Sequence, residues 1–296
     1  MAKVCLACKH QFEEVDWTCP RCGAAPETQD GLINFAPGLA QELDSFEASF
    51  FERLAQSESG HFWFEARNDV IVWALQKYFA DAGNLLEVGC GTAFVLSAIR
   101  KAQPQLQLSG SELFTEGLKF ARKRLPGATL YQMDADNIPF EAEFDIIAAF
   151  DVIEHIADDE SVLSSCFKAI RPGGGLVVTV PQHPFLWSVA DEYSHHKRRY
   201  TRKELRKRLE RAGFAIVHMT SFISLFLPVM ALSRWRHPKS SIAWDPMSEF
   251  RINSSLNSLL RNVLRMEQLV IQSGVSLPIG GSLLAVARRP LPRDIL

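Results

Sequence analysis

Several features are scarce in this 296-residue chain, and each scarcity excludes something. Long apolar runs are missing. The most apolar window, FISLFLPVMAL at Phe222–Leu232, falls well short of the roughly 20 residues that cross a bilayer, and Pro228 interrupts it. The opening MAKVCLACKH lacks the apolar stretch of a secretory signal, so the expectation is a cytoplasmic protein with at most a peripheral membrane or lipid contact. An excess of one charge is missing too: 32 Lys and Arg face 34 Asp and Glu, for a formal charge of −2. A protein that neutralises many phosphates is usually basic overall, so any nucleic-acid surface here must be local. No internal repeat or low-complexity tract stands out. With 47% hydrophobic and 22% charged residues, the composition is that of a folded chain rather than a disordered one.

Cysteine is scarce after residue 22, where only Cys90 and Cys166 remain; both read as packing residues. The other four form Cys5-x2-Cys8 and Cys19-x2-Cys22. Each pair presents two thiolates from a tight turn, and two such turns give the tetrahedral sulfur shell that Zn2+ prefers. In the second turn, CPRCG, Pro20 pre-sets the bend and Gly23 permits a positive φ on leaving it. Four sulfurs leave no open position for a catalytic water, so the expected site is structural. A module of about two dozen residues has too little core to fold without its metal. The expected organisation is a zinc ribbon over residues 1–35 and a second domain over 36–296.

In the second domain, helical patterns at Ser45–Gln56 and Glu65–Ala80 precede a regular alternation. Apolar strand patterns at Leu85–Val88, Gln105–Gly110, Thr129–Met133, Phe144–Phe150 and Leu176–Val180 alternate with helical ones at Thr92–Lys101, Thr115–Arg124 and Asp158–Ile170. Pro172-Gly173-Gly174-Gly175 reads as the break after the last of these helices. Thr201–Ala212 reads as a further helix, and Phe214–Thr220 and Leu283–Ala287 as closing strands. Strands alternating with helices predict an α/β doubly wound sheet, with ligands at the carboxyl ends of its strands. The core spans 83–221 and 278–290. Residues 222–277 form an apolar, helical insertion before the last strand.

The loop after the first of these strands reads LLEVGCGTAF and carries Glu87, Gly89 and Gly91. Glycines there let the backbone approach a ligand and turn into the next helix. A dinucleotide fingerprint needs a third glycine where this chain has Phe94, and a phosphate-binding loop needs a GK[ST] that is missing. The sequence E-V-G-C-G-T instead resembles the first motif of class I S-adenosylmethionine (SAM)-dependent methyltransferases. FDIIAAFDVIEHI resembles that family's fourth-strand motif, and IRPGGGLVVTVP the segment after it. The resemblance spans about Leu85–Gly213. It implies a Rossmann-like seven-stranded sheet and SAM as cofactor. It also implies a cofactor set of Arg67, Glu87, Val88, Gly89, Cys90, Gly91, Glu112, Leu113, Asp134, Ala135 and Phe150. Glu112, in SGSEL, would accept from the ribose hydroxyls, and Asp134 with Ala135 would meet the adenine. Arg67, in HFWFEARN, would meet the methionine carboxylate.

Asp151, Glu154 and His155 cluster in DVIEHIADD, just past the fourth strand. A similar cluster in ubiquinone-type O-methyltransferases lies beside the acceptor, so the resemblance implies either a general base at His155 or a divalent cation such as Mg2+ on all three. The plainer reading is that Glu154 and His155 orient the next helix. PQHPFLWSVADEYSHHKRRYT resembles a bacterial methyltransferase subgroup through His183, Trp187, Asp191, His195 and Arg199. By that resemblance His195 is a candidate base, and His183, Trp187 and Arg199 would bind the acceptor.

From Lys197 to Arg211 there are nine Lys or Arg against two Glu. Thr201-Arg-Lys-Glu204 is a capping-box sequence, and Leu205, Leu209 and Ala212 share one helical face. The stripe therefore reads first as the solvated side of an amphipathic helix, and second as a surface for phosphates. Three functions follow from these readings. The first is a SAM-dependent methyltransferase acting at oxygen on a small-molecule, glycan or lipid-linked acceptor. The second is a ribosomal-RNA methyltransferase whose ribbon and basic helix bind nucleic acid. The third is a non-catalytic docking protein in which only the ribbon functions.

Overall fold

The computed structural model describes residues 2–29, 31–39, 48–236 and 252–292. The N-terminal module is a small hairpin of β1 (Lys3–Val4) and β2 (Gln11–Phe12), paired antiparallel, with a second turn at Cys19–Cys22. The chain then forms β3 (Glu27–Gln29) and β4 (Leu32–Asn34). Of the helix expected at 45–56, residues 45–47 lie outside the described residues; α1 is described over Ala48–Glu58.

The main sheet is built from β5 (Asn84–Val88), β6 (Gln107–Glu112), β7 (Thr129–Gln132), β8 (Phe144–Phe150), β9 (Ile170–Pro181), β10 (Ala215–Phe222) and β11 (Ser282–Arg288). Its order is β10-β11-β9-β8-β5-β6-β7-β4-β3. The strands from β4 to β9 run parallel, while β10, β11 and β3 are antiparallel to their neighbours. The expected seven strands are present, and the β3–β4 hairpin adds two at one edge. That hairpin falls inside the 1–35 span read as ribbon. Its two three-residue strands are too short to carry a periodic signal, yet Leu32 and Asn34 are buried on the edge of β7.

Between the strands lie α2 (Phe62–Tyr78), α3 (Phe94–Ala102), α4 (Thr115–Arg124), α5 (Asp159–Ala169), α6 (Val189–Tyr193) and α7 (Arg202–Arg211). The period-2 alternation of the strands divides the core into two layers. Leu85, Ile146, Val177 and Val286 face α2, α3 and α4, whose Ile71, Leu75, Leu96 and Leu118 are buried against them. Leu86, Ile147, Val178 and Leu283 face α5 and α7, through Val162, Leu163, Leu205 and Leu209. The expected insertion contains α8 (Leu227–Arg236) and α9 (Ser254–Gln272), with 237–251 outside the described residues. Helix α9 folds back on α2: Arg261 pairs with Glu65 at 3.1 Å, and Gln268 Nε2 donates to Ala66 O at 2.8 Å.

The proline–glycine run forms a bulge within β9: pairing with β8 passes from Ile170 opposite Phe144 to Gly175 opposite Ile146, and Gly173 has φ +84°. Helix α5 stops at Ala169, and β9 begins at once, carrying Gly174 and Gly175 inside it. A Cβ on Gly175 would lie 2.2 Å from Phe79 Cζ and 2.6 Å from Ala287 O. Glycine is needed at position 175 because a ring and a neighbouring backbone crowd the strand there.

Candidate functional site

The carboxyl ends of β5, β6, β7 and β8 converge on one edge of the sheet, and most of the residues expected from the sequence lie there. Val88 and Phe150 end β5 and β8 and are buried in the core. Gly89 and Gly91 both have positive φ, +69° and +51°. A Cβ at Gly89 would sit 2.5 Å from Val152 Cγ2, while Gly91 faces open space. The loop is thus tight on its strand side and open where a ligand would approach. Cys90 N donates to Ser111 O at 2.8 Å, and burial pushes the Cys90 thiol well above its ordinary value, so it packs as a neutral group.

Glu112 is fastened by the backbone. Gly91 N donates to its Oε2 at 3.0 Å, and Leu113 N and Phe114 N donate to Oε1 at 2.8 and 3.2 Å. Burial raises its pKa against the pull of these three amides. Asp134 accepts from Asp136 N and Asn137 Nδ2, both at 3.1 Å, in a tight turn that also holds Ala135. Asp136, beside Asp134, is pushed up to about 6 by burial and by the charges of Asp134 and Asp158.

Glu87 is buried on β5, and its Oε2 has no hydrogen-bond partner among the described residues. Burial holds its carboxyl well above the usual carboxylate range, opposed mainly by Arg67. Arg67 rises from α2 with its guanidinium over the Trp63 ring at 4.9 Å, and donates to Asp151 Oδ2 at 2.6 Å. Asp151 has a left-handed backbone, φ +56°, rare for a residue with a side chain and common at functional sites. Its amide and carboxylate are both anchored to Thr179, at 3.0 and 3.2 Å.

Asp151 therefore belongs with Arg67 and does not join Glu154 and His155. A short 3-10 turn, Ile153–His155, places Glu154 beneath the loop that follows β9. Glu154 is 0% exposed, and neither carboxylate oxygen has a hydrogen-bond partner among the described residues. Burial and the Asp151 charge raise its pKa well above the ordinary value. Burial, with His196 next, pushes His155 down to about 3, so its ring is neutral at physiological pH.

The third member of this cluster is His196, which the sequence reading passed over for its neighbour. The His155 and His196 rings lie 4.6 Å apart at 82°, and one ligand atom each from Glu154, His155 and His196 lie within 4.8 Å of one another. His195 has φ +54° and is exposed, and that turn sends the adjacent residue inward. His196 Nδ1 is 2.8 Å from Asp191 Oδ1, which also accepts from Arg199 Nε at 2.7 Å. Asp191 Oδ2 accepts from Ser188 N at 2.8 Å, capping α6. Burial would raise the Asp191 carboxyl, but the His196 hydrogen bond and the Arg199 charge bring it down to about 2. Arg199 reaches Gln182 O as well, at 3.3 Å. His183 stands against Phe185, and Trp187 Nε1 donates to Glu192 Oε1 at 3.4 Å, both outside the cluster. The spacing Asp191-x4-His196 is the one signal that could have singled out His196.

In the N-terminal module, the Cys5 and Cys22 sulfurs are 3.6 Å apart, as are those of Cys8 and Cys19, and all four lie within 4.8 Å of one another. A tetrahedron with Zn–S of about 2.3 Å has S···S edges of about 3.8 Å, so the four thiols fit a zinc ion. The two turns match: Lys9 N donates to Cys5 O and Gly23 N to Cys19 O, each at 2.9 Å, with positive φ at Lys9 and Gly23.

Lys203, Arg206, Lys207 and Arg211 of α7 are exposed and Leu205 and Leu209 buried, as expected of an amphipathic helix, while several arginines of the stripe are engaged within the fold. Arg208 and Arg198 pair with the buried Asp159, and Arg211 with Glu160 at 3.0 Å. Arg202 donates to Met219 O and Leu277 O. Thr201 and Glu204 form the expected capping box of α7.

Comparison with known proteins agrees with this geometry. The chain is 28% identical over 196 residues to a Mycolicibacterium smegmatis protein described as a "probable S-adenosylmethionine-dependent methyltransferase", covering 65% of this chain and 66% of that one. It is 30% identical over 109 residues to the ubiquinone biosynthesis O-methyltransferase of Psychrobacter arcticus, covering 34% and 42% respectively. The chain thus spans less than two thirds of the length of these relatives. Among solved structures, phosphoethanolamine N-methyltransferase 2 of Haemonchus contortus shares the fold at a TM-score of 0.55 and 16% identity, over 84% of this chain and 59% of that one. A family model described as a methyltransferase domain matches residues 58–219, more than half the chain, so the chain belongs to the methyltransferase-domain family.

Proposed function

We propose that the protein transfers a methyl group from SAM to an oxygen of a small-molecule or lipid-linked acceptor. The observation that carries the first half is Glu112, held by three backbone amides beside the open glycine loop. A carboxylate has about four acceptor positions, so one remains for a ribose hydroxyl without losing the amides. Gly89 and Gly91 keep the backbone clear for the cofactor. Bound there, SAM supplies a methyl made electrophilic by its sulfonium. Glu87, buried and short of a partner, is the acceptor for a cofactor amine, and Arg67 the counter-charge for its carboxylate.

The second half rests on Glu154, His155 and His196. Two imidazoles and one carboxylate form a donor set for a first-row transition ion such as Mn2+ or Zn2+ more than for Mg2+, which favours oxygen. Asp191 on His196 Nδ1 leaves Nε2 for ligation, the usual carboxylate–histidine arrangement behind a metal ligand. A divalent cation there would supply Lewis acidity to lower the pKa of an acceptor hydroxyl. Oxygen as the methylated atom also fits the likeness to a ubiquinone O-methyltransferase. The four cysteines would hold one structural Zn2+. The RNA reading has less support, because the arginines of the stripe are engaged with Asp159, Glu160 and backbone carbonyls.

The test is methyl transfer from labelled SAM to a lipid and small-metabolite extract and, separately, to total RNA, each at low and moderate salt. Label in the extract is expected. Label in RNA that salt weakens would overturn the acceptor reading.

A further inference from the structure

The adenosine half of the site is joined to the N-terminal module at two places. At the first, β4 lies beside β7, and the chain leaving it closes on one buried amide. Gln132, 1% exposed, accepts from Ala36 N at 2.9 Å and donates through Nε2 to Ala36 O at 2.7 Å and to Leu113 O at 3.0 Å. Leu113 is the residue whose own amide holds Glu112. One side chain thus ties the chain leaving the cysteine module to the turn that presents the ribose acid.

At the second place, Lys3 of β1 forms an antiparallel bridge with Phe140. Val4 N donates to Pro139 O at 3.0 Å, and Glu141 N to Ala2 O at 3.1 Å. Pro139 and Phe140 end the segment that begins at Asp134. Trp17, from between the two cysteine turns, meets Phe140 edge-on at 5.5 Å and Phe35 at 4.7 Å. The Lys3 ammonium donates to the carbonyls of Glu14, Val15 and Asp16, fixing the Trp17 loop to β1.

We infer that the cysteine module positions the adenosine half of the cofactor site in cis, through Gln132 and the Pro139–Phe140 contact, so that its metal occupancy and cofactor affinity are coupled. The inference rests on the SAM-binding reading above. The module's own buried cluster is Cys5, Phe12 and Cys19, so its shape depends on the four thiols sharing an ion. Without that shape, β1 and Trp17 lose their base, and the Asp134–Phe140 segment loses its antiparallel partner. Coupling of two binding equilibria is reciprocal, so the cofactor must tighten the metal by the factor by which the metal tightens the cofactor.

The experiment titrates S-adenosylhomocysteine calorimetrically into the zinc-loaded full chain, the chelator-stripped full chain, and the loaded Gln132→Ala variant. Stripping and Gln132→Ala are each expected to weaken binding about ten-fold, within the usual range of coupling. Val15→Ser, at a fully exposed position in the same module, is expected to change nothing. In the reciprocal arm, zinc partitioning between the wild-type chain and a chromophoric chelator is measured with and without saturating S-adenosylhomocysteine, and the ligand should shift it by the same factor. This arm decides the matter even if Gln132→Ala does not fold. Equal affinity of loaded and stripped chains, with zinc partitioning unmoved by the ligand, overturns the coupling and leaves the SAM reading standing. No binding by the loaded wild-type chain overturns the SAM reading itself.

Discussion

Two carboxylates, one in each half of the site, are held in opposite ways. On the cofactor side, Glu112 accepts three backbone N–H groups. On the acceptor side, Glu154 is more deeply buried, at 0% exposed, and accepts none among the described residues. A carboxylate held by several backbone donors is a finished binding surface, whereas one buried without donors is costly until a cation or a proton arrives. The difference teaches that Glu112 is preorganised, whereas Glu154, like the unpartnered Oε2 of Glu87 on the cofactor side, is completed by what it binds.

The strongest way to break this comparison is to spoil the finished half. Gly89→Val places a branched side chain at φ +69° against Val152, and strain of this kind, about 1–3 kcal/mol before any clash, should weaken S-adenosylhomocysteine by about 100-fold or more. Calorimetry giving an affinity within two-fold of wild type would mean that the loop is not a finished surface. Next comes Glu154→Gln, expected to abolish Mn2+ binding measured by electron paramagnetic resonance. Because the folded pKa of Glu154 is raised, its contribution to stability is intact at low pH and is lost as pH rises through the raised value. Metal-free wild type should therefore lose stability with rising pH, and Glu154→Gln should lose less, since Glu87 and Glu112 still contribute; parallel denaturation curves would remove Glu154 as the unsatisfied group.

Asp191→Asn tests the support behind that ligand set and should cost about 10–100-fold in Mn2+ affinity, the usual effect of removing the partner of a ligating histidine. Retained affinity would detach His196 from the metal. His155 sharpens the contrast through acid titration of the metal-free chain. Its folded pKa of about 3 lies below the ordinary 6.5, so its contribution is present above 6.5 and drains away as pH falls toward 3. His155→Gln should flatten that part of the stability profile, and an unchanged profile would mean that His155 is not held neutral. The smallest effect is expected at Arg206→Ala on α7, within about 0.5 kcal/mol of wild type, as for most surface changes, and without effect on RNA retention at any salt.

What was legible in the sequence divides along the same line. Gly89, Gly91 and Glu112 lie close in sequence to the strand ends that place them, so motif spacing carried their geometry. The capping box at Thr201 and the strand at Phe144–Phe150 are equally local, and the structure has both. The acceptor cluster joins Glu154 and His155 to His196, about forty residues along the chain, and a one-residue turn at His195 decides which histidine of the pair faces inward. Only the spacing Asp191-x4-His196 hints at that choice. The amphipathic helix of the basic stripe was legible, but the partners of Arg208 and Arg211 were not: they are Asp159 and Glu160 on α5, visible only once α5 and α7 pack together. The β3–β4 hairpin was missed because three-residue strands have no period to read.

That hairpin has a consequence for anyone who shortens the protein. Leu130, Tyr131 and Gln132 of β7 are buried, and β4 covers its outer edge, leaving as the outermost strand only the three polar, exposed residues of β3. Short polar edge strands resist pairing with other chains, and long apolar ones invite it. Cutting the chain after β4 would bare the backbone hydrogen-bonding groups of β7 to neighbouring molecules. Insoluble material from such a truncation would then report a lost edge guard, rather than the loss of whatever else the N-terminal module does.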